Sequence, residues 1–254
     1  MLKYILAIII FGVIIFIHEF GHFFVAKLCG IKVNKFALGM GPKILKKQIG
    51  ETEYSLRLFP VGGFCAMEGE DQESENSRAF GNKPVWKRMF VIVAGAFMNI
   101  LLGFVLIVIL TCMRSAVPST IVGGFSTQSE TSEIITAQSY ECGLREGDEI
   151  IKMDGMRIFT PSDLSYQLYS DDDGKFDIVV KRDGKKITLN DVIFHDSATD
   201  SVVDFQIKGL NKNPLNVLAF SGKDTVSTAR MIWISLVDLV TGKYGFNDLS
   251  GPSL

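Results

Sequence analysis

The chain has 254 residues, of which 47% are hydrophobic and 21% charged, with a formal net charge of -2. So large an apolar share beside that much charge points to apolar spans joined to a polar domain rather than to a uniformly soluble chain. The near-neutral balance, without a basic patch interleaved with aromatics, excludes nucleic acid as an expected partner, and the four cysteines, with no C-x-x-C pair, fit neither a disulfide framework nor a structural zinc site.

The first element is an apolar run over residues 4–26 interrupted by His18-Glu19-Phe20-Gly21-His22. Residues four apart share a helix face, so His18 and His22 can offer imidazole nitrogens to one metal while Glu19, beside them, handles protons. Leu6, Ile8, Ile9, Ile10, Val13 and Ile14 leave the helix almost no polar face, which is the pattern of a membrane span. No small-x-small cleavage pattern follows the run, so it does not read as a signal peptide. Ionisable groups at membrane depth are costly and mark a function; the bland alternative is a polar cluster lining a helix contact.

Lys27, Lys32, Lys35, Lys43, Lys46 and Lys47 follow this span, and Lys83, Lys87 and Arg88 precede the next, which places residues 28–88 on the cytoplasmic side. Within that segment, residues 53–67 mix Tyr54, Leu56, Leu58 and Phe64 with a turn signal over 60–63, as expected of a short hairpin whose apolar side lies on the bilayer or the catalytic helix. Residues 68–82 are acidic and polar and read as a solvated loop. The second span, 89–113, contains no charged residue. Its Gly95, Gly103 and Asn99 are residues that often serve helix packing alone.

Beyond Arg114 the composition is that of a mixed αβ module. Gly143 to Ile151 leads to Asp154-Gly155, a helix starts at Thr160-Pro161-Ser162, and strands over 176–181 and 186–189 join at Asp183-Gly184, a strong hairpin signal. His195, beside Asp196, reads as a solvated surface residue. Residues 224–240 are apolar but carry Arg230 and Asp238, which favours an amphipathic or interfacial helix over a third span.

Taken together, these residues resemble the bacterial site-2 proteases of the RseP type, zinc-dependent intramembrane metalloproteases with one PDZ domain. The resemblance rests on the H-E-x-x-H helix, the Phe36-Ala37-Leu38-Gly39-Met40-Gly41-Pro42 segment, Pro60 with Gly62-Gly63-Phe64, the G-x-x-x-N element Gly95-Ala96-Phe97-Met98-Asn99, and Cys142-Gly143-Leu144 running to Gly147-Asp148 and Ile150. It implies a membrane α-helical protein with two transmembrane helices in this chain, a membrane-associated β-hairpin and an extracytoplasmic α+β PDZ-like domain. The corresponding division is 1–27, first span; 28–88, cytoplasmic loop with the hairpin; 89–113, second span; 114–205, PDZ-like domain; and 206–254, juxtamembrane segment. It also implies Zn2+ held by His18 and His22, Glu19 as the catalytic residue, and substrate contacts from Asn99, Gly62, Gly63 and Phe64. Gly143 and Leu144 would border the PDZ peptide groove.

The implied substrates are single-pass membrane proteins or remnant signal peptides, cut in the bacterial inner membrane. Family members continue from T-G-K…L-S-G-P into a third span whose L-D-G aspartate is the third zinc ligand. Here Thr241-Gly242-Lys243 and Leu249 to Pro252 match, but no L-D-G occurs, and Asp224, Asp238 and Asp248 are poor substitutes. The expectation is therefore a C-terminally truncated member, the alternative being a non-catalytic, membrane-anchored PDZ module.

Overall fold

In the computed structural model the described residues are 2–125, 137–170, 174–194 and 203–242; His195, Lys243, Asp248 and the 249–252 match lie outside them. The backbone forms two compact units, Met1–Val105 and Leu106–Leu254.

The first unit begins with helix α1 (Leu2–Leu28), continues through strands β1 (Val33–Ile49) and β2 (Thr52–Met67), and takes in most of helix α2 (Val85–Met113). Both helices are long and apolar enough to cross a membrane, and only 6% and 11% of their most apolar stretches are buried. Side chains such as Ile9, Phe11, Ile92 and Phe97 therefore face outward around the whole helix, an arrangement that lipid but not water stabilises. Helix α1 stops because Gly30 takes a left-handed φ of 70°. That turn lets Gly30 N–H donate to Lys27 O and Ile31 N–H to Ala26 O, which satisfies the end carbonyls.

The strand region differs from a self-paired hairpin over 53–67. The chain reverses at residues 50–51, and β2 is one long strand paired antiparallel with β1. Both strands bend, so each contributes two segments: Phe36 pairs with Tyr54 on one side and with Cys65 on the other, while Lys47 also pairs with Tyr54. The result is a four-segment sheet in the order 45–49, 52–56, 35–38, 63–67. The bend in β1 sits at Gly39, whose φ of 85° is a left-handed conformation that a side chain disfavours. The turn signal over 60–63 thus marks a bend within β2, leaving 63–67 as an outer segment. Ala26, Ile31, Val33, Phe36, Cys65 and Val91 form the core that joins this sheet to the helices.

Polar cross-links tie the loops of this unit. Glu51 accepts from both Arg78 nitrogens at 2.7 and 2.8 Å and from Lys27 at 2.8 Å, and Glu68 accepts from Asn34, Ser74 and Lys32.

The second unit holds β3 (Val122–Phe125), α3 (Gln138–Glu141), β4 (Glu149–Met153), β5 (Met156–Arg157), α4 (Pro161–Ser170), β6 (Phe176–Arg182), β7 (Lys185–Val192), β8 (Phe205–Ile207) and α5 (Pro214–Thr241). One sheet has the order β5-β4-β6-β7 and another pairs β3 with β8. Asp183 and Gly184 make the β6–β7 turn with φ of 50° and 80°, as the Asp-Gly signal predicts. Leu144, Ile150, Met153, Ile178, Val180 and Phe194 fill the core. Helix α4 starts at Pro161, where the Asp163 carboxylate accepts from the Phe159 and Thr160 backbone N–H groups.

Helix α5 starts ten residues before the apolar run at 224, because Asn213 caps it by accepting from Asn216 N–H at 2.7 Å and Pro214 occupies its first turn. Gly242 ends it with a φ of 74°. Buried Asp163 holds α5 to α4: Ser227 Oγ donates to it and Arg230 Nη2 lies 2.6 Å away as an ion pair.

Two predictions follow from these polar links. The Arg78 guanidinium, with Lys27, holds the Glu51 carboxyl at about 2 against its usual 4.5, so its stabilisation is complete above pH 4.5 and is lost as pH falls through about 2. The melting-temperature difference between the protein and Glu51→Gln is expected to be constant above pH 4.5 and to vanish near pH 2. In the second unit, buried Asp148 accepts from Arg182 Nε and Nη2, both at 2.7 Å, and from Arg145 N–H. Asp148→Asn is expected to cost about 2 kcal/mol and to lower the melting temperature by roughly 4–8 °C, measured by calorimetry; an unchanged transition would remove this pair from the fold's supports.

Candidate active site

The site is built where α1 meets α2 inside the first unit. Gly21 of the pentapeptide lies against the Ala94 carbonyl of α2, where a Cβ would come within 2.6 Å. One step along α2, a Cβ on Gly95 would overlap His22 Nε2 and lie 2.7 Å from His18 Nε2. Small residues on both helices thus let the backbones approach, as they do in helix pairs within membranes. At Gly103, by contrast, a Cβ would meet nothing within 4 Å among the described residues.

His18 and His22 face each other with Nε2 atoms 3.2 Å apart. Two nitrogens each ~2.0–2.1 Å from one tetrahedral zinc stand about 3.3 Å apart, so the pair has the spacing of two ligands to a single ion. His22 Nδ1 lies 2.7 Å from the Val91 carbonyl and donates to it, which leaves the lone pair on Nε2. His18 Nδ1 lies 3.3 Å from the side-chain nitrogen of Asn99, whose buried oxygen has no hydrogen-bond partner among the described residues.

Glu19 is half-buried on the same helix. The outer segment of β2 passes beside it: a Cβ on Gly63 would lie 3.2 Å from Glu19 Cγ and 3.0 Å from the Ala37 carbonyl. Gly62, with a φ of 86°, forms the bend that brings the strand there. Phe64 pairs with Ala37 and stacks under the Arg57 guanidinium, 4.9 Å from its ring centre. His18, His22, Gly95 and Asn99 therefore meet where α1 faces α2, and Gly63 lies against Glu19 of the same α1.

The remaining residues belong to the second unit. Leu144 is fully buried in the core of the second unit, and the Gly143 carbonyl accepts from Arg182 at 2.8 Å. Asp224 and Asp238 lie on α5, where Asp238 accepts from Tyr166 at 3.5 Å. Among the described residues no group of three His, Cys, Asp or Glu side chains is placed to hold a metal ion. Three contributors went unnoticed in the sequence: Gly21, Ala94 and the Val91 carbonyl. The first two were visible as small residues, but a backbone acceptor leaves no mark on residue type.

The chain matches the model of peptidase family M50 over residues 6–253. A Clostridium acetobutylicum protein provisionally named a zinc metalloprotease is 34% identical over 251 residues, 98% of this chain and 71% of that relative. The regulator of sigma-W protease RasP of Bacillus subtilis is 27% identical, over 96% of this chain and 76% of its own. The zinc metalloprotease RasP of Bacillus licheniformis is 26% identical, over 96% and 77%. The likeness runs far beyond the pentapeptide, through both apolar helices and the αβ module, and the chain belongs to peptidase family M50.

Proposed function

We propose that this chain is a zinc-dependent endopeptidase of the site-2 type, which cuts peptide bonds within or beside membrane-spanning segments. The observation that carries the proposal is the pair of Nε2 atoms 3.2 Å apart, one residue from Glu19 and against a glycine that leaves them room. His18 and His22 would hold the zinc, which when bound polarises a water and lowers its pKa toward neutrality. Glu19 takes a proton from the attacking water and returns it to the nitrogen of the departing chain. The lipid-facing helices exclude bulk water from these groups, which strengthens every charge interaction among them.

A helical substrate has its carbonyls tied up in backbone hydrogen bonds, so it must unwind before it is cut. The outer segment of β2 is suited to receive it: an extended chain added to this edge pairs through main-chain groups and runs alongside Glu19. Gly62, Gly63 and Phe64 would meet the substrate on that edge, Gly63 lying against Glu19. In this reading residues 28–88 are cytoplasmic, in keeping with their lysines, and the 114–205 module is an extracytoplasmic PDZ-like peptide binder. A groove of about 340 Å3 between α4 and β8, lined by Leu164, Leu168, Tyr169, Phe205 and Ile207, offers an apolar cleft beside a strand. The substrates would be membrane-tethered regulators such as anti-sigma factors, consistent with the sigma-W name of the Bacillus relative, or remnant signal peptides.

Two measurements test this reading. Glu19→Gln is expected to lower cleavage of a model transmembrane substrate by about 10²–10⁴-fold with zinc content intact, whereas His18→Ala and His22→Ala lose both. Equal cleavage by the parent and Glu19→Gln would sink the mechanism. Proline at Phe64 and at Cys65 is expected to act unequally, because adjacent N–H groups point to opposite edges of a strand. The variant that blocks the outer edge should lose cleavage while retaining zinc, and full activity in both would dismiss the strand-addition step.

A further inference from the structure

We propose that Asn99 is a positioning residue for His18: in the metal-bound protein its amide oxygen accepts a hydrogen bond from His18 Nδ1–H and so keeps the lone pair on Nε2. The inference rests on the zinc reading above and adds a chemical role for Asn99. His22 already has its Nδ1 proton committed to the Val91 carbonyl, at 2.7 Å. Among the described residues His18 has one comparable neighbour, the Asn99 amide at 3.3 Å from its Nδ1. If the amide nitrogen donates there, the His18 proton sits on Nε2 and points at His22 Nε2, 3.2 Å away. That arrangement occupies both metal-facing positions with a single N–H. It also leaves the Asn99 oxygen buried without a partner among the described residues.

A half turn of the amide reverses both defects. The oxygen then accepts from Nδ1–H, and the two Nε2 lone pairs face the same point. The residues responsible recur on one face of α2. Val91, Gly95 and Asn99, four apart, present in successive turns an acceptor for His22, an empty contact for both rings, and an acceptor for His18. An orienting acceptor behind a metal-bound imidazole raises its basicity and fixes its ring, and its loss costs about 10–100-fold in metal affinity.

The test uses the protein in detergent, stripped of metal, with zinc affinity read by competition against a chelator. Asn99→Leu is expected to bind zinc about 10–100-fold more weakly. Asn99→Asp, which can only accept, is expected to stay within about threefold of the parent or to bind more tightly. A comparable melting temperature for the three metal-free proteins separates this from misfolding. Should a variant melt lower, 15N spectra of its zinc-loaded form decide, with His18 bound through Nε2 in the parent and Asn99→Asp but not uniformly in Asn99→Leu. Equal losses for Asp and Leu would show that the amide donates, and an unchanged affinity in Asn99→Leu would show that it orients nothing; either overturns the inference while leaving the zinc reading in place. A parent that binds no zinc overturns both.

Discussion

Two imidazole nitrogens can be held 3.2 Å apart between apolar helices only if the opposite helix carries no side chain at the point of contact. Gly95 meets that condition, and Gly21 with Ala94 makes the helices close enough for it to matter. The rest of the site depends on this approach. It brings the Val91 carbonyl within reach of His22 and the Asn99 amide within reach of His18, so that both imidazoles of α1 are partnered by α2. Inside a bilayer such partners are worth more than their number suggests, because an unpaired polar group there has no water to fall back on.

The sheet of the first unit supplies the second half of the arrangement. A simple hairpin would have presented two equivalent edges to its surroundings. By bending at Gly39 and Gly62, β1 and β2 instead stack four segments and carry residues 63–67 to the outside, against α1. The same residues are anchored by Cys65 in the core with Val33, Phe36 and Val91. A strand beside the glutamate is thus held by packing on one side while its outer edge is left for pairing, a combination that suits a groove for an extended chain.

In the second unit two fully buried carboxylates, Asp148 and Asp163, are structural. Asp148, part of the Gly-Asp signature, closes its own loop through Arg145 N–H and pairs with Arg182. Asp163 caps α4 and binds Ser227 and Arg230 of α5, joining the long helix to the module. Buried carboxylates so fully partnered are expensive to disturb and poorly suited to catalysis.

The sequence alone determined the apolar helices, the face shared by His18 and His22, the Asp-Gly turn between β6 and β7 and the start of α4, because each is written in local spacing, in turn chemistry or in the absence of charge. The family resemblance was legible for the same reason, as motifs in a fixed order. Only the tertiary structure decided that residues 53–67 pair with β1 rather than with themselves, that Leu144 is core, and that Asn99 and a backbone carbonyl stand behind the two histidines. Those outcomes depend on which distant segments meet, and on backbone atoms that every residue shares, so no local pattern of side chains encodes them.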